Sequence, residues 1–193
     1  MASTPVSLLE RLKTADKKSP DWRQFQEAYL PLIFKWLSRI PKLGAEADDL
    51  AQETLLVATR ELPRFERRRE GSFRAWLRQI VVNQSRNFVR KRGRLPIAGI
   101  AEMDGFLNQL EDPKSELAAE WDRQHDRFVV RRLLSVVQGD FALSTWQAFE
   151  KFAIQGISVN VVAAELGLTE NAVLLAKSHV LQRLREEAAG LID

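Results

Sequence analysis

Apolar residues recur every three to four positions along most of the chain, which is the spacing of one face of an α-helix. Before residue 63 this pattern predicts a short helix over 6–15, a longer helix from Asp21 to residue 40, and a third helix over 46–62. Asp21 is the predicted N-cap of the second helix, and Pro31 is expected to kink it. No stretch has the alternating pattern of a strand, so an all-α fold is predicted.

A helix predicted between an N-cap at Ser72 and a stop at Gly93 has two contrasting faces. At about 100° per residue, its apolar arc consists of Phe73, Trp76, Leu77, Ile80, Val81 and Phe88. The opposite arc carries four arginines and, at its edge near Trp76, an amide: Arg74, Arg78, Arg86, Arg90 and Asn83. An arginine face with few acids suits a phosphate backbone with bases beside it. A solvated cationic face is the alternative, and this pattern alone leaves both open.

The composition changes between residues 95 and 120. Gly99, Gly105 and Pro113 interrupt the helical pattern, and acidic residues outweigh the single lysine. This composition predicts a flexible acidic linker over 95–120 with at most transient helix. The expected organisation is an N-terminal extension over 1–20, a helical domain over 21–94, the linker, and a second helical domain over 121–193.

The second domain contains a helix-turn-helix pattern. A short apolar helix runs from Ser158 to a turn at Gly167, and Thr169 caps the helix that follows. The core stripe of that last helix consists of Val173, Ala176, Val180 and Leu184. Polar residues outside this stripe make DNA binding the favoured interpretation. We expect three to four helices here in a winged-helix-like arrangement.

Composition narrows the range of functions. The chain has 193 residues, no cysteine and a formal net charge of +3, with positive charge concentrated in residues 64–94. The absence of cysteine excludes disulfides and thiolate zinc sites, and His125 and His179 are too few for a His-rich metal site. No apolar run approaches the ~20 residues of a membrane span, and residues 1–20 lack a signal-peptide core. The sequence therefore predicts a cytoplasmic protein without membrane insertion.

Acidic residues cluster in Asp48-Asp49-Leu50-Ala51-Gln52-Glu53. Asp49 and Glu53 lie one helical turn apart and could hold a magnesium ion. No second acidic cluster and no phosphate-binding glycine loop accompanies them. A solvated face, or a face that docks on another protein, is therefore favoured over metal catalysis, and neither a metal nor a cofactor is expected.

Both halves of the chain, in this order, resemble the sigma-70 family of bacterial transcription initiation factors, in the two-domain form called extracytoplasmic-function (ECF) sigma factors. The segment Asp48–Thr54 is similar to the family's acidic Asp-Leu-x-Gln-Glu signature. Phe73, Trp76-Leu77 and Ile80–Asn83 resemble its Phe-x-x-Trp-Leu-x-x-Ile-x-x-Asn stretch. Residues 161–184 resemble its C-terminal helix-turn-helix.

The resemblance implies a protein that is not an enzyme and that directs core RNA polymerase to promoters and aids their melting. It implies the polymerase clamp helices and flap as partners, together with promoter DNA, and it leaves open whether an anti-sigma factor exists. The implied polymerase-docking residues are Asp48, Asp49, Leu50, Gln52 and Glu53. Those implied for the minus-ten element are Arg64, Arg67, Arg68, Arg74, Trp76, Arg78, Asn83, Arg86 and Arg90. Those implied for the minus-thirty-five element are Thr169, Glu170, Asn171, Lys177, Ser178, His179 and Gln182.

Two other functions remain open from the residues alone. One is a helix-turn-helix regulator that binds its promoter without polymerase, and the other is an enzyme with a carboxylate metal site at Asp49 and Glu53. The last helix also departs from the family, because Leu174 and Leu175 stand where polar or basic residues are usual. We expect another part of the chain or an inhibitor to bury them, since exposed leucines offer DNA little.

Overall fold

A computed structural model describes residues 8–16, 19–66, 72–92, 97–189 and 191–192. These residues form nine α-helices and no strand, which confirms the predicted all-α class. The helices are α1 Leu8–Thr14, α2 Pro20–Leu37, α3 Ala47–Glu61, α4 Ser72–Arg92, α5 Ile97–Glu111, α6 Glu116–Val137, α7 Leu143–Phe149, α8 Val159–Leu166 and α9 Glu170–Ala188. The described residues divide into two compact units, an N-terminal unit of Leu8–Val129 with residues 191–192, and a C-terminal unit of Val130–Ala189.

Helix α2 supplies much of the core of the N-terminal unit and packs against α3. Its buried residues are Trp22, Phe25, Ala28, Tyr29, Leu32, Ile33, Trp36 and Leu37. The N-cap is Ser19, whose Oγ accepts a hydrogen bond from the Trp22 amide at 3.5 Å. The prediction that Asp21 caps this helix is wrong, because Asp21 lies in the first turn and pairs with Arg11 Nε at 3.1 Å.

The predicted N-terminal extension contains a helix that belongs to the core. Leu8, Leu9 and Leu12 of α1 are all buried. Helix α1 packs on α2 and on the 3-10 turn Leu62–Arg64. Residues 8–14 are therefore part of the N-terminal unit, because three leucines at helical spacing give even this short helix an apolar face to bury.

Residues 97–120, expected to be a flexible linker, are mostly helical and lie within the N-terminal unit. Helix α5 packs on α4 and buries Met103, Leu107 and Leu110. On α6, the fully buried Trp121 lies 5.1 Å from Trp36, ring centre to ring centre. Apolar residues at helical spacing outweigh the acidic composition on which the linker prediction rested, and they give both helices a face to bury.

The C-terminal unit consists of the end of α6 with α7, α8 and α9. One core cluster joins Ala148, Val162, Ala163, Val173 and Ala176, and a second joins Val137, Trp146, Phe149 and Val180. The predicted three to four helices are present. The described residues of this unit include no strand that would form a wing.

Candidate nucleic-acid interface and docking patch

The arginines predicted on one arc of α4 lie on two different faces. At about 100° per residue, Arg86 and Arg90 fall within about 60° of Asn83, whereas Arg74 and Arg78 lie about 140° or more away. Burial follows this division, since Arg78 is 5% exposed while Asn83 and Arg90 are exposed. We call one face of α4 the outer edge, and it consists of Gln79, Asn83, Arg86 and Arg90.

The two inner arginines bind acidic residues of α6. Arg78 Nη1 donates to Asp122 Oδ1 at 2.8 Å and to the Ala118 carbonyl at 3.3 Å. Arg74 Nη1 donates to Asp126 Oδ2 at 3.0 Å, and its Nε lies 3.4 Å from Asp122 Oδ2. Burial lowers the pKa of Arg78, while the charge of Asp122 acts in the opposite direction. The expectation of an open cationic face at Arg74 and Arg78 is thus contradicted, because α6 covers both side chains.

Buried polar contacts also hold α6 on α2. His125 is fully buried, and its Nε2 lies 3.4 Å from the Tyr29 hydroxyl. Its Nδ1 lies 3.1 Å from Asp126 Oδ1, which places Asp126 between the histidine and Arg74. Burial raises the pKa of Tyr29 well above its ordinary value, so the hydroxyl stays neutral. The inner arginines therefore belong to a packed polar layer.

On the outer edge, one carboxylate from α5 binds two side chains of α4. Gln79 Nε2 donates to Glu111 Oε1 at 2.9 Å and to Asn83 Oδ1 at 3.2 Å. Arg86 Nη2 donates to Glu111 Oε2 at 2.7 Å and to Asn108 Oδ1 at 2.8 Å. The hydrogen bond from Arg86, followed by that from Gln79, lowers the pKa of Glu111. Glu111 therefore lies next to the amide predicted to read a base.

Trp76 lies on the same side of α4 as Asn83, about 20° away around the helix axis. Its side chain is half-buried, and its ring centre lies 5.1 Å from that of Phe65 and 5.3 Å from that of Phe73. Two aromatic neighbours fix the indole plane while part of its surface stays open. This arrangement can support a base stacked beside the Asn83 amide.

The predicted basic loop over 64–70 is described only at its start. Arg64 is exposed at the end of the 3-10 turn Leu62–Arg64, and Phe65 is buried. Arg67 and Arg68 lie outside the described residues.

The acidic residues of α3 form a patch at the start of that helix. Asp48, Asp49, Gln52 and Glu53 are exposed, and Gln52 Nε2 donates to Asp48 Oδ2 at 3.1 Å. Leu50 is fully buried, so its part in the family signature is to fix the helix in the core. Among the described residues no group of three or more acidic or histidine side chains is placed to hold a metal ion. The patch presents exposed negative charge at the start of α3.

Helices α8 and α9 have the geometry of a helix-turn-helix. They are bent by 102° at the turn, where Gly167 has φ 64° in the left-handed region that suits glycine. Thr169 Oγ1 accepts a hydrogen bond from the Ala172 amide at 3.1 Å and so caps α9, as predicted. In the described part of the chain no single helix is long and apolar enough to span a membrane, and these two pass that test only as a bent pair.

The residues predicted for the minus-thirty-five element lie on the open side of α9. The exposed members are Thr169, Glu170, Asn171, Ser178, His179 and Gln182. Lys177 is half-buried, with its ammonium 5.1 Å from the centre of the Phe152 ring. Leu174 and Leu175 are 45% and 47% exposed, so the expectation that another part of the chain buries them is wrong.

Comparison with known proteins bears on both halves of this arrangement. Residues 25–95 match the model of sigma-70 region 2. The chain is 25% identical over 177 residues to the ECF RNA polymerase sigma factor SigE of Mycolicibacterium smegmatis, an alignment covering 88% of this chain and 62% of that relative. It is 28% identical over 174 residues to the ECF RNA polymerase sigma factors SigD of Mycobacterium bovis and Mycobacterium tuberculosis, covering 87% of this chain and 78% of each relative.

The chain is thus similar to sigma-70 family proteins, most specifically over its region 2 segment. Its relatives are of the ECF type, as the resemblance implies. The region 2 match covers α2 from Phe25 onward together with α3 and α4, and therefore includes both the acidic patch and the outer edge.

The partners of the arginines of α4 were not predicted from the sequence. Glu111, Asp122 and Asp126 lie 25 or more residues beyond the arginines they bind, Glu111 in the predicted linker and the two aspartates in the predicted second domain. The sequence of α4 itself contains residues that indicate the burial of Arg78. Val82 and Ser85 fall on the side of Arg78 and are both fully buried, and a valine and a serine beside an arginine indicate a covered face.

The inner and outer arginines should differ in their effect on stability. We expect Arg78→Ala to lower the free energy of unfolding by about 1–3 kcal/mol, because it removes the partner of Asp122 inside the fold. Arg90→Ala is the matched control, because it removes an exposed arginine from the same helix. It should change the free energy of unfolding by less than about 0.5 kcal/mol. Urea unfolding followed by circular dichroism measures both. Equal effects of the two substitutions would contradict the structural role of Arg78.

Proposed function

We propose that this protein is a transcription initiation factor that binds core RNA polymerase, directs it to specific promoters and helps to melt them. The sigma-70 region 2 match over residues 25–95 carries the proposal, because that segment contains the docking patch and the DNA-facing edge together. The protein would act in the cytoplasm and has no catalytic turnover of its own. A regulator that works without polymerase is not favoured, since it leaves this segment without a role.

The α3 patch is the proposed docking surface for the polymerase clamp helices. Asp49 and Glu53 are exposed and one turn apart, so both can meet a basic surface. Leu50 supports this surface from beneath and does not contact the partner, because it is fully buried. Electrostatic complementarity of this kind steers encounter and fixes orientation.

The outer edge of α4 is the proposed contact with the minus-ten element. Trp76 offers a stacking surface, and Asn83 offers hydrogen bonds to an unstacked base. Stacking contributes ~1–3 kcal/mol per base, which is close to the few kcal/mol needed to extrude one. The free protein therefore melts DNA poorly, and polymerase must supply the remaining free energy.

The open side of α9 is the proposed contact with the minus-thirty-five element. Asn171, Ser178 and Gln182 carry groups that can hydrogen-bond base edges or phosphates. Leu174 and Leu175 can contact thymine methyl groups but cannot read guanine.

The docking role is tested by Asp49→Ala with Glu53→Ala. We expect the fold to be unchanged, because both side chains are exposed, and affinity for core polymerase to fall at least tenfold along with run-off transcription. Co-purification and run-off assays measure these effects. Glu102→Ala with Glu116→Ala removes the same charge from two exposed sites on α5 and α6 and serves as the control. Unaltered polymerase binding by the first pair would remove the docking assignment.

The base-capture role is tested by Asn83→Ala. The exposed amide contributes little to stability, so the variant should still fold and bind polymerase. Permanganate footprints of the open complex should show reduced melting at the minus-ten element, or a changed base preference there. Asn160→Ala, an exposed asparagine on α8, is the control. If footprints of Asn83→Ala match those of the wild type, Asn83 does not read the base.

A further inference from the structure

Glu111 occupies a position on the outer edge that resembles that of a bound anion. Its two carboxylate oxygens accept from different side chains of α4, with Oε1 2.9 Å from Gln79 Nε2 and Oε2 2.7 Å from Arg86 Nη2. A phosphate presents two oxygens in the same way to a guanidinium and a neighbouring donor. Helix α4 contains no acidic residue, so the negative charge at this edge comes from α5.

The Glu111 carboxylate can be replaced by another anion more easily than the carboxylate that binds Arg78. The side chains of Arg86 and Glu111 are 28% and 37% exposed, whereas that of Arg78 in its pair with Asp122 is 7% exposed. Solvent reaches the outer pair, and a competing anion can approach by the same route. Exchange also needs no movement of α5, because buried leucines at 107 and 110 hold that helix on α4.

The position of Glu111 at the end of its helix favours its replacement by another anion. It is the last residue of α5, where the helix dipole carries partial negative charge and disfavours a carboxylate. Its partners on α4 are therefore what stabilise the charge at this position. An anion that replaced the carboxylate would keep the two donors satisfied and release Glu111 into water.

We propose that Gln79 and Arg86 form a phosphate-binding site beside Asn83, and that Glu111 fills this site in the free protein and is displaced by a DNA backbone phosphate. This inference rests on the proposed function and deepens it. It adds Gln79 to the DNA-contacting residues, and it makes Glu111 an internal competitor that weakens DNA binding by the free chain. Because Gln79 also donates to Asn83, the phosphate site and the base-reading amide are linked through one side chain.

The test measures binding of the free, full-length protein to a short fluorescent single-stranded DNA of mixed sequence. Glu111→Gln keeps the shape of the side chain but removes its charge, and we expect binding to tighten about three- to tenfold. The slope of log affinity against log salt should be steeper in Glu111→Gln than in the wild type, because salt also weakens the Arg86–Glu111 pair that wild-type binding must break, so the gain shrinks as salt rises. Fluorescence anisotropy across a salt series gives both quantities.

The control is Glu102→Gln, which makes the same charge change at an exposed position of the same helix, on the opposite side of its axis. Glu102 lies 3.8 Å from Lys42 and about 13 Å along the helix from Glu111, beyond the ~8–10 Å screening length at physiological salt. Circular dichroism and thermal unfolding establish that each variant is folded. Equal DNA affinity in Glu111→Gln and Glu102→Gln would overturn the proposal.

A second variant separates occupation of the site from a general charge effect. If Glu111 competes for Arg86, then Glu111→Gln should give no tighter binding in an Arg86→Ala background, and Gln79→Ala should weaken binding in the Glu111→Gln background. If Glu111→Gln still tightened DNA binding in the Arg86→Ala background, the proposed phosphate site would be wrong.

Failure of this inference is distinguishable from failure of the proposed function. If the wild-type protein supports run-off transcription but Glu111→Gln does not bind DNA more tightly, the phosphate site is wrong and the proposed function stands. A gain in Glu111→Gln without any polymerase-dependent transcription supports the phosphate site and defeats the proposed function.

Discussion

Arg78 lies almost entirely out of water, at 5% exposure, and its charge has to be met by acceptors inside the fold. An unpaired buried guanidinium would cost several kcal/mol, so Asp122 and the Ala118 carbonyl are conditions for the folded state. Both belong to α6, which reaches α4 only because residues 97–120 are folded against the N-terminal unit. The pairing of Arg78 thus holds the start of α6 on α4.

The burial of Arg78 gives α4 two faces, one that packs inside the N-terminal unit and one that stays at the surface. The inner arginines hold α6, whose Trp121 packs on Trp36 and whose His125 packs on Tyr29. The outer edge, with Asn83 and Arg86, is the proposed contact with nucleic acid, next to Trp76. Of the four arginines of α4 predicted to face DNA, only Arg86 and Arg90 lie on this edge, and Arg86 is paired with Glu111.

Local features of the fold were predictable because their causes are local. The turn at Gly167, the Thr169 cap and the exposed acids of α3 follow from residues within one or two helical turns, and the structure has each of them. The folding of α1 and of residues 97–120 depends on partners far along the chain, which local composition does not contain. For the same reason, periodicity predicted the apolar stripe of α4 but not its second buried face, where Arg78 meets Asp122.

The start of α6 is a fixed part of the N-terminal unit and not a linker. Hydrogen–deuterium exchange of the free, full-length protein, followed by mass spectrometry, tests it directly. The amides between Trp121 and His125 should exchange as slowly as those around the buried Leu77 of α4, because both open only when the unit unfolds. Exchange of residues 97–126 at the rate of an unstructured chain, while α4 stays protected, would contradict the account.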